Sequence, residues 1–351
     1  MVARSHALRD YVLRRLMLMV PTLLGITFLV FLLCQFVPGG PIDQMKMQIA
    51  GGGDMGEGGG SGSMARASSI DIPEEDLETL KKYYGFDKPI LVRYANYLGK
   101  LALMDLGDSF RYMQPVESLI ASRFPVSIYF GLIAFLLTYV ICIPLGIVKA
   151  LKHKTRFDNV TSVVIFLGYA IPGYALGAVL LTLFAVQRDW FPLAGFESQG
   201  FEDLSFFGKI GDRIHRTTLL VICYAIHLFA FMTILTKNSL MENMSADYVK
   251  TALAKGMTWP RAVFGHALRN SLIPIATSFG NNISLILTGS LLIERVFGIP
   301  GMGLLFFEAI TARDYPVVMG YIFISSALLL IGNLLSDLCV AGADPRVRFG
   351  E

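Results

Sequence analysis

The chain has 351 residues, of which 54% are hydrophobic and 16% charged, with a mean hydropathy of +0.57 and a net charge of +3. An ordinary soluble domain carries about a quarter charged residues, so this balance excludes one and points to an all-α membrane protein. The small positive excess gives no reason to invoke nucleic acid, because its placement along the chain tracks the membrane instead.

Apolar runs predict six spans, at about 16–37, 126–148, 160–186, 217–236, 271–293 and 316–340, each long enough for a hydrocarbon core of about 30 Å. A basic tail, 1–15, precedes the first. The first apolar run is too long for a signal peptide and no small-residue cleavage site follows, so it reads as a retained span. Cys34, Cys142, Cys223 and Cys339 all fall inside spans and read as packing residues. Lys and Arg fix the expected orientation. The N-terminal tail, the loops after the second and fourth spans, and the tail 341–351 carry 15 basic residues against 6 acids; the opposite side carries 15 against 20. The positive-inside rule then places both termini in the cytoplasm.

The loop 38–125 is expected outside. Its stretch 51–63, Gly-Gly-Gly-Asp-Met-Gly-Glu-Gly-Gly-Gly-Ser-Gly-Ser, has the composition of a disordered segment. Leu77, Leu80 and Tyr84 give a helical stripe ending at Gly85, and Val92–Leu98 a second helix. A shorter external loop, 187–216, carries Trp190, Phe191, Phe196, Phe201, Phe206 and Phe207, aromatics suited to lipid headgroups or to a docked protein.

Between the fourth and fifth spans, the loop 237–270 contains Asp247-Tyr-Val-Lys-Thr-Ala-Leu-Ala-Lys-Gly-Met257. Val249, Ala252, Leu253, Gly256 and Met257 share one face of a helix, with Asp247, Lys250, Thr251 and Lys255 largely on the other. Gly256 suits a left-handed helix end, and Thr258 with Pro260 a second helix start. The stripe fits a shallow socket on another protein or a lipid surface.

Catalytic patterns are missing: there is no G-x-x-x-x-G-K-[ST], no H-E-x-x-H and no G-x-S-x-G. His6, His153, His215, His227 and His266 have no metal-ligand spacing. Asn281, Asn282, Ser284 and Thr288 put polar groups into the fifth span, where they are expected to line part of a water-filled path or to bond between helices. Asp337 sits near the cytoplasmic end of the sixth.

These residues resemble a known family. The stretch 247–257, followed by His266-Ala-Leu-Arg-Asn270 and Pro274, is similar to the cytoplasmic loop of binding-protein-dependent ABC importer permeases of the dipeptide/oligopeptide family. Arg14-Arg15-Leu16, Pro38-Gly-Gly-Pro41, Tyr84-Gly-Phe-Asp-Lys-Pro-Ile90, Asp105-Leu-Gly-Asp-Ser109, Phe124-Pro-Val-Ser127, Gly289-Ser-Leu-Leu-Ile-Glu294, Phe297-Gly-Ile-Pro-Gly-Met-Gly-Leu304, Arg313-Asp-Tyr-Pro316 and Asp344-Pro-Arg346 follow in family order. The Pro38–Pro41 turn, the Gly-rich insertion and Leu235-Thr-Lys-Asn-Ser239 resemble the Yej-type branch, associated with oligopeptides and microcin C. Lys250 departs from the family, standing where its loop has a glutamate.

The resemblance implies a type I importer permease with six transmembrane helices in a bacterial inner membrane. It implies a second permease, ATPase subunits or one fused double ATPase, and an external peptide-binding protein. ATP and magnesium would sit on the ATPase, with no cofactor, metal or catalytic residue in this chain. Val249, Ala252, Leu253, Ala254, Lys255, Gly256 and Met257 would form the ATPase-coupling segment within a permease core 126–340. A dipeptide, nickel or other small-solute importer is the alternative within the family. A secondary transporter would need paired intramembrane acids, for which Asp337 alone is thin support. The orientation is open to direct test: an impermeant thiol reagent added outside should label a cysteine placed at Ser61 and miss one at Lys152, and the reverse pattern would invert the topology.

Overall fold

A computed structural model describes residues 2–36 and 88–343, so the expected features at 51–63, at 77–85 and in the tail from 344 lie outside the described residues. The described residues form helices α1 (Val2–Phe36), α2 (Ile90–Ala102), α3 (Val116–Leu151), α4 (Arg156–Ala170), α5 (Gly173–Leu180), α6 (Phe206–Ser245), α7 (Asp247–Ala254), α8 (Trp259–Ala262), α9 (Leu268–Ser271), α10 (Ile273–Thr288), α11 (Leu291–Phe297), α12 (Met302–Thr311) and α13 (Tyr315–Ala343). α3 and α6 run well beyond the predicted spans, because hydropathy registers only their apolar middles.

Three helices are long and apolar enough to cross a membrane unaided, within Arg9–Phe36, Val116–Leu151 and Tyr315–Ala341. Two further candidates are bent. The predicted third span is α4 and α5 meeting at 95°, not one straight helix. The cause is Pro172, whose ring disfavours helical geometry at the preceding residue; Ile171 is extended, with ψ 121°. The predicted fourth span is α6, bent by 45° near residue 227.

The chain forms two compact units. One comprises Val20–Ser122 and Glu308–Ile324. In it Tyr94 donates from its hydroxyl to the Leu24 carbonyl at 2.8 Å and packs edge-on against Phe28, which fastens α2 to α1. The carboxylate of Asp314, 1% exposed, accepts from Ser109 Oγ at 2.5 Å and from the amides of Phe110 and Arg111 at 3.2 Å. Two resemblance motifs some 200 residues apart therefore close on one buried acid.

The other unit comprises Met1–Met19, Arg123–Phe307 and Ser325–Glu351. One of its cores gathers Phe130, Leu220, Cys223 and Phe297 from α3, α6 and α11, with Ile299 from the turn that follows. Glu294 on α11 is wholly buried, yet its oxygens are taken up: Oε1 accepts from Tyr224 at 2.8 Å and Ser127 at 3.2 Å, and Oε2 from the Leu304 amide at 2.9 Å. A Cβ at Gly301 would sit inside van der Waals contact with this carboxylate, which accounts for a glycine there. Near its end α13 meets the start of α1, where Tyr11 donates to Asp337 at 2.7 Å and Arg15 pairs with it at 3.1 Å.

The aromatic loop 187–216 packs partly on itself and partly on the core, where Phe196 lies edge-on to Tyr129 and Phe130. The Arg213 guanidinium lies 5.0 Å from the Phe196 ring and 4.7 Å from Phe201, and Phe191 stacks on His215. Trp190, Phe206 and Phe207 alone of the six are exposed. A cation sandwiched between rings is stabilised by their quadrupoles, so half of the expected external aromatic face is consumed internally.

At the other end of this unit, the Asp158 side chain is 4% exposed and lies between two lysines. Lys237 Nζ reaches both of its oxygens at 2.7 Å, and Lys149 Nζ, 1% exposed, lies 3.0 Å from Oδ1. Lys149 also donates to Thr161 Oγ1 at 2.6 Å and Ser162 Oγ at 2.9 Å. α3, α4 and α6 are thereby held by one carboxylate. Removing one partner of a buried ion pair strands the other, at a cost of about 3–5 kcal/mol. Asp158→Ala should therefore lower the thermal midpoint of the detergent-solubilised chain sharply, and adding Lys149→Met with Lys237→Met should recover part of it. An unchanged midpoint in the single variant would remove the cluster from the fold's support.

Candidate functional site

The loop between α6 and α10 is a hydrogen-bonded elbow. Ala246 is extended, with ψ 149°, and breaks the long α6 from the short α7. α7 ends in a Schellman arrangement: the Met257 amide donates to the Ala252 carbonyl at 3.1 Å and the Gly256 amide to Leu253 at 2.9 Å. Gly256 has φ +86°, as the sequence suggested. Thr258 then precedes α8, with Pro260 in its first turn, although the threonine side chain makes no cap bond. The chain returns through α9, which two serines pin to α6: Ser239 Oγ donates to the Ser271 carbonyl at 3.2 Å, and Ser271 Oγ to Ser239 at 3.3 Å.

Of the expected stripe, the structure turns Val249, Leu253 and Met257 inward and leaves Gly256 exposed. Val249 is 2% exposed and packs with Ala150, Leu240, Ala262, Val263 and Ala267; Leu253 and Met257 pack against the same cluster. The physical reason is proximity. α7 folds back within a residue of α6, so the ends of α3 and α6 offer the nearest apolar surface, and burying a valine there contributes about 1.5–3 kcal/mol. Of the expected coupling residues, Val249 is thus taken up within the chain, while Ala252, Leu253 and Met257 are half-buried.

Of the expected coupling residues, Ala254, Lys255 and Gly256 face outward, alongside Tyr248, Thr251 and Lys250. Trp259 and Phe264 extend this face, each about half exposed. A Cβ at Gly256 would meet no atom within 4 Å. The elbow thus exposes the Gly256 turn together with Tyr248, Trp259 and Phe264. Lys250 donates to Asp247 at 2.9 Å, and this hydrogen bond holds the Asp247 carboxyl below its usual range. Asp247 also sits in the first turn of α7, where negative charge meets the positive end of the helix dipole. Sequence reasoning passed over Tyr248, Trp259 and Phe264; the signal was available as aromatics placed beside the glycine turn on the polar side of the helix.

Of the expected path residues, the structure describes the side chain of Asn282. Asn282 is 3% exposed and donates from Nδ2 to Tyr139 Oη at 3.2 Å, with Met232 Sδ at 3.6 Å, so it ties α10 to α3 and α6. The side chains of Asn281, Ser284 and Thr288 lie outside the described residues. At residue 280 α10 crosses α13 so closely that a Cβ would overlap the Gly332 carbonyl.

The family model described as binding-protein-dependent transport system inner membrane component matches residues 142–349. Among curated proteins, the chain is 41% identical to a peptidoglycan transport system permease protein, YejB, of Agrobacterium fabrum, over 97% of this chain and 98% of the relative. It is 37% identical to the inner membrane ABC transporter permease protein YejB of Escherichia coli, over 97% and 98%. It is 33% identical to the oligopeptide transport system permease protein AppB of Bacillus subtilis, over 97% and 99%.

The elbow's inward packing is directly testable. Val249→Asp buries a carboxylate with no partner and should open the segment 247–257 to limited proteolysis, while Tyr248→Ser, on the exposed face, should leave the digestion pattern unchanged. Equal resistance in both variants would show that the stripe is not buried.

Proposed function

The chain belongs to the family of binding-protein-dependent transport system inner membrane components, and on that premise we propose that it is one of two permease subunits of an ATP-driven importer of peptides. The observation that carries the mechanism is the elbow. Its apolar face is locked into the ends of its own spans, and its other face projects as a capped, rigid surface. A lever needs both properties: a soft loop would absorb a push, whereas a short helix fixed to α3 and α6 transmits it.

In this reading the ATPase subunits, separate or fused, receive Tyr248, Thr251, Lys255, Gly256 and Trp259 in a groove. Their closure on ATP and magnesium, which this chain does not bind, drives the elbow as a rigid body. The helices continuous with it turn the path outward, and hydrolysis reverses the motion. An external binding protein delivers the substrate. The path is shared with the second permease. The termini face the cytoplasm of a bacterial cell, and α10 joins the longer helices as the sixth span.

The substrate class follows from the relatives, whose names specify peptidoglycan, oligopeptide and di/tripeptide transport. Peptide-containing molecules, including microcin C-like ones, share the extended amide backbone such a path must pass. A proton-driven transporter loses its one supporting residue, because Asp337 is engaged by Arg15 and Tyr11.

An aromatic anchor at the centre of an interface is worth about 2 kcal/mol, close to thirtyfold in an equilibrium constant. Trp259→Ala and Gly256→Trp should each insert and pair normally yet lose most ATPase co-purification and substrate-stimulated hydrolysis. Lys250→Ala, at the rim, should keep both. Wild-type coupling in the first two variants would take the elbow out of the mechanism.

A further inference from the structure

An apolar groove of about 260 Å³ opens between α3, α4 and α6, its floor including the buried Ala230. Leu145, Val164 and Gly168 form one part of its wall, and Ile226, Phe229 and Ala230 the other. Its upper end is Thr161, the same residue that accepts from Lys149 at 2.6 Å. The groove therefore begins directly beneath the Asp158 cluster. It runs about 10 Å along α4, from Thr161 to Gly168, at about 1.5 Å per residue.

Charge at that end is unbalanced. Lys149, Lys152, Lys154, Arg156 and Lys237 converge on the turn from α3 to α4, and Asp158 is the only carboxylate between residues 149 and 162. Asp158 is already engaged by Lys149 and Lys237, whereas Lys152, Lys154 and Arg156 are exposed. Lys152 lies over the ring of Phe157 at 5.5 Å, a cation held at an aromatic edge as at a membrane interface. A basic rim above an apolar slot on a membrane helix is complementary to one kind of molecule, a negatively charged headgroup on a hydrocarbon chain.

We propose that this groove binds one anionic phospholipid, with an acyl chain between Val164 and Ile226 and its phosphate on the Lys152–Arg156 turn. A helix of a partner subunit does not fit the slot, since a helix is about 10 Å across and a 260 Å³ cavity takes little more than one of its side chains. The bound lipid fills the gap beside the clamp joining α3, α4 and α6, the helices from which the elbow hangs. This site goes beyond the transport reading, and it is read by lipid attachment rather than uptake.

The test uses the assembled importer in detergent with phosphatidylglycerol bearing a photoreactive diazirine on one acyl chain, and with phosphatidylcholine bearing the same group. Adducts are mapped by peptide mass spectrometry. Labelling within 160–168 or 226–230 should favour phosphatidylglycerol by about fivefold for each basic residue engaged. Lys152→Gln with Arg156→Gln should bring it down to the phosphatidylcholine level. Val164→Trp, at an exposed position on the groove's mouth, should suppress both lipids while the thermal midpoint holds. Equal labelling by the two lipids would mean an ordinary lipid-facing surface. Labelling of the isolated chain that vanishes in the assembled importer would mean a subunit contact. Either result overturns the assignment.

Discussion

Two lysines, Lys149 buried and Lys237 partly so, share the carboxylate of Asp158 and hold together the end of the bundle from which the elbow hangs. Away from water, an ionised group must be matched by charge and hydrogen bonds or it will not remain. Asp158 has both. Each lysine comes from a different long helix, and Asp158 lies in the first turn of the next, so the contact fixes where α3 ends, where α4 begins and how α6 passes them. The elbow's apolar face rests on the helix ends so positioned.

The same device recurs wherever remote segments must meet. Glu294 gathers α3, α6 and the 302–304 turn; Asp314 gathers the 109–111 turn; Asp337 gathers the start of α1. In a largely apolar chain, side-chain packing is permissive about register, because one leucine facing lipid or protein is much like another. A carboxylate with directed donors is not permissive. Such contacts therefore specify the arrangement more than they add net stability, since desolvation of the charges offsets much of their attraction.

The elbow shows how packing assigns faces. An amphipathic helix of eight residues has one apolar stripe and can satisfy it only once. Because the chain reverses immediately after α6, most of the stripe is used at home, and the surface left exposed carries Lys250, Thr251, Lys255 and the Gly256 turn.

Composition and periodicity alone determined the membrane class, the apolar runs within α1, α3 and α13, the grouping of Val249, Leu253 and Met257, the Gly256 cap and the helix over Val92–Leu98, because each depends on local pattern or backbone preference. The family was also legible, since its motifs lie in chain order. Partnerships were not. Nothing local links Lys237 to Asp158, Ser109 to Asp314 or Arg15 to Asp337, because charges tallied as topology signals carry no information on their mates. Nor could pattern say that Pro172 turns the third span by 95°, or that Asn282 bonds across helices, since both rest on how neighbours pack. The face of α7 was the clearest case: period 3.6 identifies which residues lie together, whereas the direction they point is set by the nearest apolar surface, and only the tertiary structure supplies that surface.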